Sequence, residues 1–169
     1  MTINSKDMTT VHLVCGFLGA GKTTFATALA ERVSGVRFSV DEIYLRLFAD
    51  GPTYEVNGAA MTRLLDALHE LWPQVARAGV DVILDFGFWS SALREQVRES
   101  ARSLGAEPRL YWLQCPDETA VARCLQRNGS PGAFLISEPG YWELKPRFEA
   151  PMTEAHEAVH TGNGSHAAR

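Results

Sequence analysis

One segment near the start of the chain combines glycines, a lysine and hydroxyl residues at the spacing used to bind phosphates. It fits the pattern GxxxxGK[ST], and its members are Gly16, Phe17, Leu18, Gly19, Ala20, Gly21, Lys22, Thr23 and Thr24. The glycines let the backbone wrap a phosphate chain, so that N–H groups and the positive end of the next helix point at it. Lys22 would reach the β- and γ-phosphate oxygens, and the Thr23 hydroxyl would bind Mg²⁺. The alternative is a glycine-rich turn that starts an amphipathic helix.

Two aspartates follow apolar runs further along the chain. Asp85 closes a run that starts at Val80, so we expect its carboxylate at the carboxyl end of a central strand, where open α/β sheets bind ligands. There it would hold Mg²⁺ through water, or else cap the next turn. Asp41 is the first carboxylate after the glycine-rich segment. It could orient or deprotonate an acceptor hydroxyl for attack on a γ-phosphate, and it could also cap a helix beginning at Glu42.

Three arginines are candidates for binding a transferring phosphoryl group, because the guanidinium pairs with two oxygens at once. Arg94 lies nine residues beyond Asp85. Arg123 and Arg127 are one helical turn apart and precede a segment rich in turn formers, which predicts a mobile lid over residues 127–140. The alternative for each is a solvated helix face.

The intervening segments predict a parallel sheet wrapped by helices, because short apolar runs alternate with helix-period segments. Strands are expected at 11–15, 36–40, 80–86, 109–115 and, weakly, 157–161. The run from Val80 to Phe86 is almost continuously apolar, as in a central strand covered on both faces. On the first helix, Phe25, Ala28, Leu29 and Val33 are spaced for one buried face, and Gly35 would end it. Residues 11–161 thus predict one domain between a flexible leader at 1–10 and a disordered tail at 162–169.

Composition excludes several other classes. The chain has 169 residues with a formal net charge of −4 and no basic run, which argues against a general nucleic-acid binder. Cys15, Cys115 and Cys124 lack CxxC spacing and predict buried thiols in a reducing compartment. Apolar runs are too short for a signal peptide or a membrane span, so the expected location is the cytoplasm. The histidines lack metal-ligand spacing.

The order of these motifs resembles that of the small P-loop kinases of the AAA_33 family, which include polynucleotide-kinase-like and antibiotic-phosphotransferase-like members. The resemblance runs from Val11 to about Thr161. It rests on the glycine-rich segment, Ser39-Val40-Asp41-Glu42, Asp85 with Arg94 downstream, Leu113-Gln114-Cys115-Pro116, Arg123 through Arg127-Asn128, and Phe148-Glu149-Ala150-Pro151.

This resemblance implies a P-loop NTPase fold, a three-layer sandwich whose central, mostly parallel five-stranded sheet has helices on both faces. It also implies ATP and Mg²⁺ as cofactors and an ATP-dependent phosphotransferase. In the family, the aspartate at position 41 faces the acceptor, the arginine at position 94 helps to place the acceptor or its phosphate, and the lid arginines at 123 and 127 hold ATP. Adenine also fits because a guanine-reading Asn/Thr-Lys-x-Asp segment is missing from the sequence.

Two departures from the family pattern concern the acceptor and the lid. Phe86-Gly87-Phe88-Trp89 replaces a small polar segment, which predicts a more apolar acceptor pocket, and Phe88, Trp89 and Tyr44 could stack on a ring-bearing acceptor or be core. The lid has no further arginine after the Arg-Asn pair, so nucleotide closure would rely on Arg127 and Arg147.

The leading hypothesis is a kinase that moves the ATP γ-phosphate to a hydroxyl of a small-molecule acceptor. A polynucleotide 5′-hydroxyl kinase and a non-kinase P-loop ATPase or nucleotide switch remain as alternatives. The glycine-rich segment also resembles that of metallochaperone GTPases, whose CxCC metal segment is missing from the sequence.

Overall fold

A computed structural model of the chain describes residues 8–48, 58–130 and 133–162. Several expectations therefore lie outside the described residues. They are most of the leader, positions 131 and 132 of the lid, and the tail from position 163. The turn formers between Asp50 and Gly58 predict a loop, of which only Gly58 is described, and Gly58 instead begins a helix. In the part of the chain that the structure describes, none of the helices combines the length and apolarity needed to cross a membrane.

The described strands form one five-stranded sheet in which all pairings are parallel. They are β1 Thr10–Cys15, β2 Val36–Ser39, β3 Val82–Gly87, β4 Glu107–Gln114 and β5 Glu157–His160. Their spatial order is β2-β3-β1-β4-β5. Every residue of β1 and β3 is buried, as expected for central strands covered on both faces. The predicted sheet is confirmed.

Helices cover both faces of this sheet and complete the three predicted layers. They are α1 Lys22–Val33, α2 Val40–Leu47, α3 Gly58–Arg77, α4 Ser91–Ser103, α5 Asp117–Arg127 and α6 Glu138–Leu144, the last followed by a 3-10 turn, Lys145–Arg147. Successive strand residues point to opposite faces. Leu13 and Leu84 therefore join Trp72 of α3 in one core cluster, while Val14 and Ile83 pack with α1 in another.

The helix ends near the glycine-rich segment differ from expectation. Ser34, not Gly35, takes the left-handed conformation after α1, with φ 52°. Strand β2 ends at Ser39, whose hydroxyl accepts a hydrogen bond from the Glu42 N–H and so caps α2. Asp41 thus lies inside the first turn of α2, and its expected capping role was wrong. Its side chain is left available for another contact.

The lid predicted over residues 127–140 is helical rather than a loop at its far end. Helix α6 begins at Glu138, where the Ser137 hydroxyl accepts from the Gly140 N–H at 3.1 Å. Earlier in the segment, Asn128 donates to the Ile136 carbonyl at 2.8 Å and accepts from the Ile136 N–H at 3.0 Å. These two hydrogen bonds hold Asn128 and Ile136 next to each other.

Smaller corrections concern strand ends and helix faces. Strand β3 continues past Asp85 to Gly87, and β4 begins at Glu107. Ala28, expected on the buried face of α1, is exposed, while Ala26 is buried there together with Leu29. Leu125 on α5, which its spacing with Val121 predicts to face inward, is also exposed. Two of the three free cysteines are buried, and Cys115 is partly exposed.

Candidate functional site

The turn between β1 and α1 has the backbone of a phosphate loop. Gly19 and Gly21 adopt φ 71° and 88°, conformations that residues with a Cβ rarely take. A Cβ on Gly19 would lie only 2.3 Å from the Ala120 carbonyl oxygen of α5. The loop therefore needs glycine at this position both for its conformation and for its close approach to α5.

Lys22 begins α1 and lies against this turn. Its Nζ donates a hydrogen bond to the Phe17 carbonyl at 2.9 Å. The same ammonium is the strongest charged neighbour of both Asp41 and Asp85 and lowers the pKa of each. Lys22, the cation predicted to bind phosphate oxygens, therefore lies near both of the predicted carboxylates, Asp41 and Asp85.

Asp85 is a buried carboxylate between a cation and a hydroxyl. Burial raises its pKa, while Lys22, Arg37 and the nearby Thr23 hydroxyl act against that shift. A hydroxyl and a carboxylate, hard oxygen ligands of the kind that Mg²⁺ prefers, therefore lie near each other. The residues present thus fit the expected magnesium site.

Asp41 reaches the same edge of the sheet from α2. Burial raises its pKa, the charge of Lys22 opposes this, and the nearby carboxylate of Asp85 raises it further. Arg127 also lowers this pKa, which places the end of α5 on the same side of the sheet. A carboxylate with a raised pKa is a better base at neutral pH than an exposed aspartate.

Arg37 and Glu42 are members of this group that the sequence analysis missed. Arg37 Nη1 donates to Asp85 Oδ2 at 3.2 Å, and its Nη2 donates to both carboxylate oxygens of Glu42 at 2.7 Å. The available signal was the position of Arg37 two residues before Ser39 on the same strand. Ser39 is the residue that pairs with Asp85 in the register of β2 and β3.

Of the two arginines of α5, Arg123 contacts the phosphate loop. Arg123 Nη1 donates to the Gly19 carbonyl at 3.4 Å and to Cys115 Sγ at 3.5 Å. Arg127 lies one turn later, with Nη2 3.9 Å from Cys124 Sγ. The structure therefore brings Lys22, Thr23, Asp41, Asp85 and both α5 arginines to one edge of the sheet.

Arg94 does not belong to that group. Its side chain is 1% exposed, and Nε and Nη2 both donate to the Glu154 carboxylate, the shortest distance being 2.5 Å. Its Nη1 donates to the Phe88 carbonyl at 2.8 Å. Because all three of its nitrogens have acceptors within the protein, these contacts favour a structural role over the expected phosphoryl clamp. Arg147 is 64% exposed and faces Glu143.

The aromatic residues after β3 mostly belong to the core. Phe88 is fully buried against Phe86, and Tyr44 is 3% exposed between Phe48 and Phe134. The burial of both rings favours the core alternative for Phe88 and Tyr44 over stacking on an acceptor. Trp89 packs against Phe17 of the phosphate loop, with ring centroids 5.0 Å apart.

Comparison with known proteins gives one family and many solved structures. The family model described as "AAA domain" matches residues 11–151. A protein of Chloroflexus aurantiacus j-10-fl assigned as a kinase aligns with TM-score 0.72 and 18% identity, over 92% of this chain and 89% of that one. The Mycobacterium tuberculosis APS kinase CysC, in complex with AMPPNP and APS, aligns with TM-score 0.63 and 12% identity, over 95% and 92% of the two chains.

A third solved structure comes from the Pnkp1/Rnl/Hen1 RNA repair complex. It aligns with TM-score 0.69 and 20% identity, over 86% of this chain but only 45% of that one. No curated protein matches the chain. At these identities the three structures establish the fold, which is that of P-loop kinases.

Proposed function

Since the chain belongs to the AAA_33 family of AAA domains, we propose that it is an ATP-dependent kinase that phosphorylates a hydroxyl of a small-molecule acceptor. The observation that carries this proposal is the position of Asp41, which lies within electrostatic range of Lys22, Asp85 and Arg127. Asp41 is a second carboxylate beside the phosphate loop, in addition to the one expected to bind Mg²⁺, and it could align an acceptor hydroxyl for transfer.

The phosphate loop, residues 16–24, would hold the ATP phosphates through its backbone N–H groups, as the N-terminus of α1 favours negative charge. Lys22 would exchange its bond with the Phe17 carbonyl for phosphate oxygens. Arg123 and Arg127 would neutralise charge from α5. Thr23 and Asp85 would hold Mg²⁺, which supplies charge neutralisation on the phosphates when bound.

Asp41 would accept the hydroxyl proton of the acceptor. The acceptor oxygen then forms a bond to the γ-phosphorus as the bond from that phosphorus to ADP breaks, so the phosphoryl group moves without a covalent intermediate on the protein. Lys22 and the α5 arginines balance the charge that spreads over the transferring oxygens. Catalysis by this site would therefore consist of positioning and charge neutralisation.

A polynucleotide 5′-hydroxyl kinase is the second candidate. The fold shared with a chain of the Pnkp1/Rnl/Hen1 RNA repair complex favours it. The net charge of −4 and the pairing of Arg37 with two carboxylates argue against a polyanionic acceptor. A nucleotide switch that hydrolyses ATP slowly is the remaining alternative.

The test is transfer of labelled γ-phosphate from ATP to separate panels of sugars, nucleosides, aminoglycosides and 5′-hydroxyl oligonucleotides. Transfer to a small molecule, lost in Asp41→Asn, supports the proposal. Transfer to oligonucleotides alone supports the second candidate. Slow phosphate release with every panel unlabelled would instead support the switch.

A further inference from the structure

Phe17 links the phosphate loop to two helices that lie outside it. Its carbonyl binds Lys22, while its ring is 4% exposed and lies under other aromatic side chains. Ring centroids are 4.9 Å away for Tyr141 of α6 and 5.8 Å away for Phe148. The position of this one side chain therefore affects the backbone segment that carries the Lys22 contact.

Three polar residues beside the Phe17 ring contact one another, and we call them the clasp. They are Asp117, the first residue of α5, with Tyr141 of α6 and Lys145 just after α6. The Tyr141 hydroxyl donates to Asp117 Oδ1 at 2.8 Å, and Lys145 Nζ donates to the same oxygen. The Lys145 ammonium also lies 5.0 Å from the centroid of the Phe17 ring, over its face.

The electrostatics of Asp117 indicate that these contacts favour its charged form. Partial burial alone would raise the pKa of Asp117, but the hydrogen bonds from Lys145 and Tyr141 outweigh it and lower the pKa. A charged carboxylate that accepts two hydrogen bonds at one oxygen fixes the spacing between α5 and α6.

A cavity of about 240 Å³ borders the same residues. Phe17 and Leu18 of the phosphate loop line it together with all three members of the clasp. The phosphate loop and the clasp therefore border open space, so packing around them is incomplete on this side. The polar contacts of the clasp act where packing is incomplete.

We propose that Asp117, Tyr141 and Lys145 are positioning residues that preorganise the phosphate loop for a triphosphate by fixing Phe17. The inference rests on the proposed nucleotide-binding role of the loop. It assigns these residues no contact with substrate. Loosening the clasp should let Phe17 move, increase opening of the loop and weaken nucleotide binding, because ordering the loop would then cost free energy at the moment of binding.

Two measurements test this on the full chain. The first is hydrogen–deuterium exchange of the backbone amides of residues 16–22 without nucleotide, and the second is ATP affinity by calorimetry. The variants are Asp117→Asn and Tyr141→Phe, the latter keeping the aromatic ring. Glu118→Gln is the matched control, because Glu118 is the next residue of α5, is exposed and undergoes the same chemical change.

Both clasp variants should exchange the loop amides faster and bind ATP about tenfold more weakly, the effect expected for loss of one charge-assisted hydrogen bond. Glu118→Gln should match the wild type in both measurements. Unchanged exchange of residues 16–22 in both clasp variants would overturn the inference, whether or not ATP binds. Wild-type protein that binds no ATP, with faster loop exchange in the variants, would instead contradict the proposed function and leave the clasp supported.

Discussion

Arg37 donates a hydrogen bond from Nη1 to Oδ2 of Asp85 at 3.2 Å, so the buried carboxylate in the second half of β3 faces a cation from the neighbouring strand. Arg37 also binds Glu42, which ties β2 to α2, the helix that carries Asp41. One guanidinium thus fixes two of the elements that form the site. A buried carboxylate left without such a partner carries a large desolvation cost.

Arg37→Met should therefore destabilise the protein by about 1–3 kcal/mol at neutral pH. Burial raises the pKa of Asp85 and Arg37 lowers it, so removal of the guanidinium raises that pKa further. The penalty exists only while Asp85 is ionised, and it should shrink as the pH falls through the raised pKa. Urea unfolding at neutral and acidic pH measures it. The control is Arg109→Met, because the exposed pair of Arg109 with Glu107 should contribute far less to the free energy of unfolding. Equal losses of stability in the two variants would contradict the special role of Arg37.

Asp41→Asn should lower the transfer rate about 10²–10⁴-fold while ATP affinity stays nearly unchanged, since the amide cannot accept the acceptor proton. Steady-state kinetics and calorimetry separate the two effects. Asp66→Asn, an exposed change on α3, serves as the control. A normal transfer rate in Asp41→Asn would exclude Asp41 from the chemistry.

The same variant should also be more stable than the wild type at neutral pH. Burial raises the pKa of Asp41 in the folded state above its ordinary value of 3.8, so the charged form opposes folding above that pKa. The gain from Asn should vanish as the pH falls below the unfolded pKa, where both states are protonated. Thermal unfolding across this pH range tests the sign, and a loss of stability in Asp41→Asn at neutral pH would contradict it.

The features predictable from the sequence were those written in local spacing. The glycine-rich segment, the parallel sheet implied by alternation, and the placement of Asp41 and Asp85 near the carboxyl ends of their strands need only neighbouring residues. Arg94 could not be judged locally, because its partner Glu154 lies 60 residues further on. The cap at Ser39 was missed because Asp41 is an equally good capping type.

Burial accounts for the remaining misses. Phe88 carries the same aromatic side chain whether it lines a pocket or fills the core, and only the packed structure shows it to be fully buried. Helix α6 was hidden by Pro139 and Gly140, which favour turns in isolation. Its N-terminus is stabilised by Ser137 and its face by the aromatic contacts of Tyr141, which come from distant segments.

His12 should make the protein sensitive to mild acid. Burial is the main cause that lowers the pKa of His12 from 6.5 to about 4, and its Nε2 has no hydrogen-bond partner among the described residues. The neutral ring is the native form, so stability is complete above pH 6.5 and declines as the pH falls towards about 4, by up to about 3 kcal/mol. His12→Phe should flatten the dependence on pH across this window. If the urea midpoints of the wild type and of His12→Phe fall equally as the pH is lowered across this window, another group is responsible for the titration.

The central claim is that the turn before α1 binds the phosphates of ATP, and calorimetric titration of ATP into wild-type protein and Lys22→Ala tests it most directly. Lys22 is partly exposed at the start of a helix and supports little of the core, so the variant should keep its circular dichroism spectrum. Its melting temperature should fall, because Asp41 and Asp85 lose their strongest cationic neighbour. We expect the wild type to bind ATP and Lys22→Ala to bind about a hundredfold more weakly or not at all. Equal affinity for ATP in the two folded proteins would contradict the account.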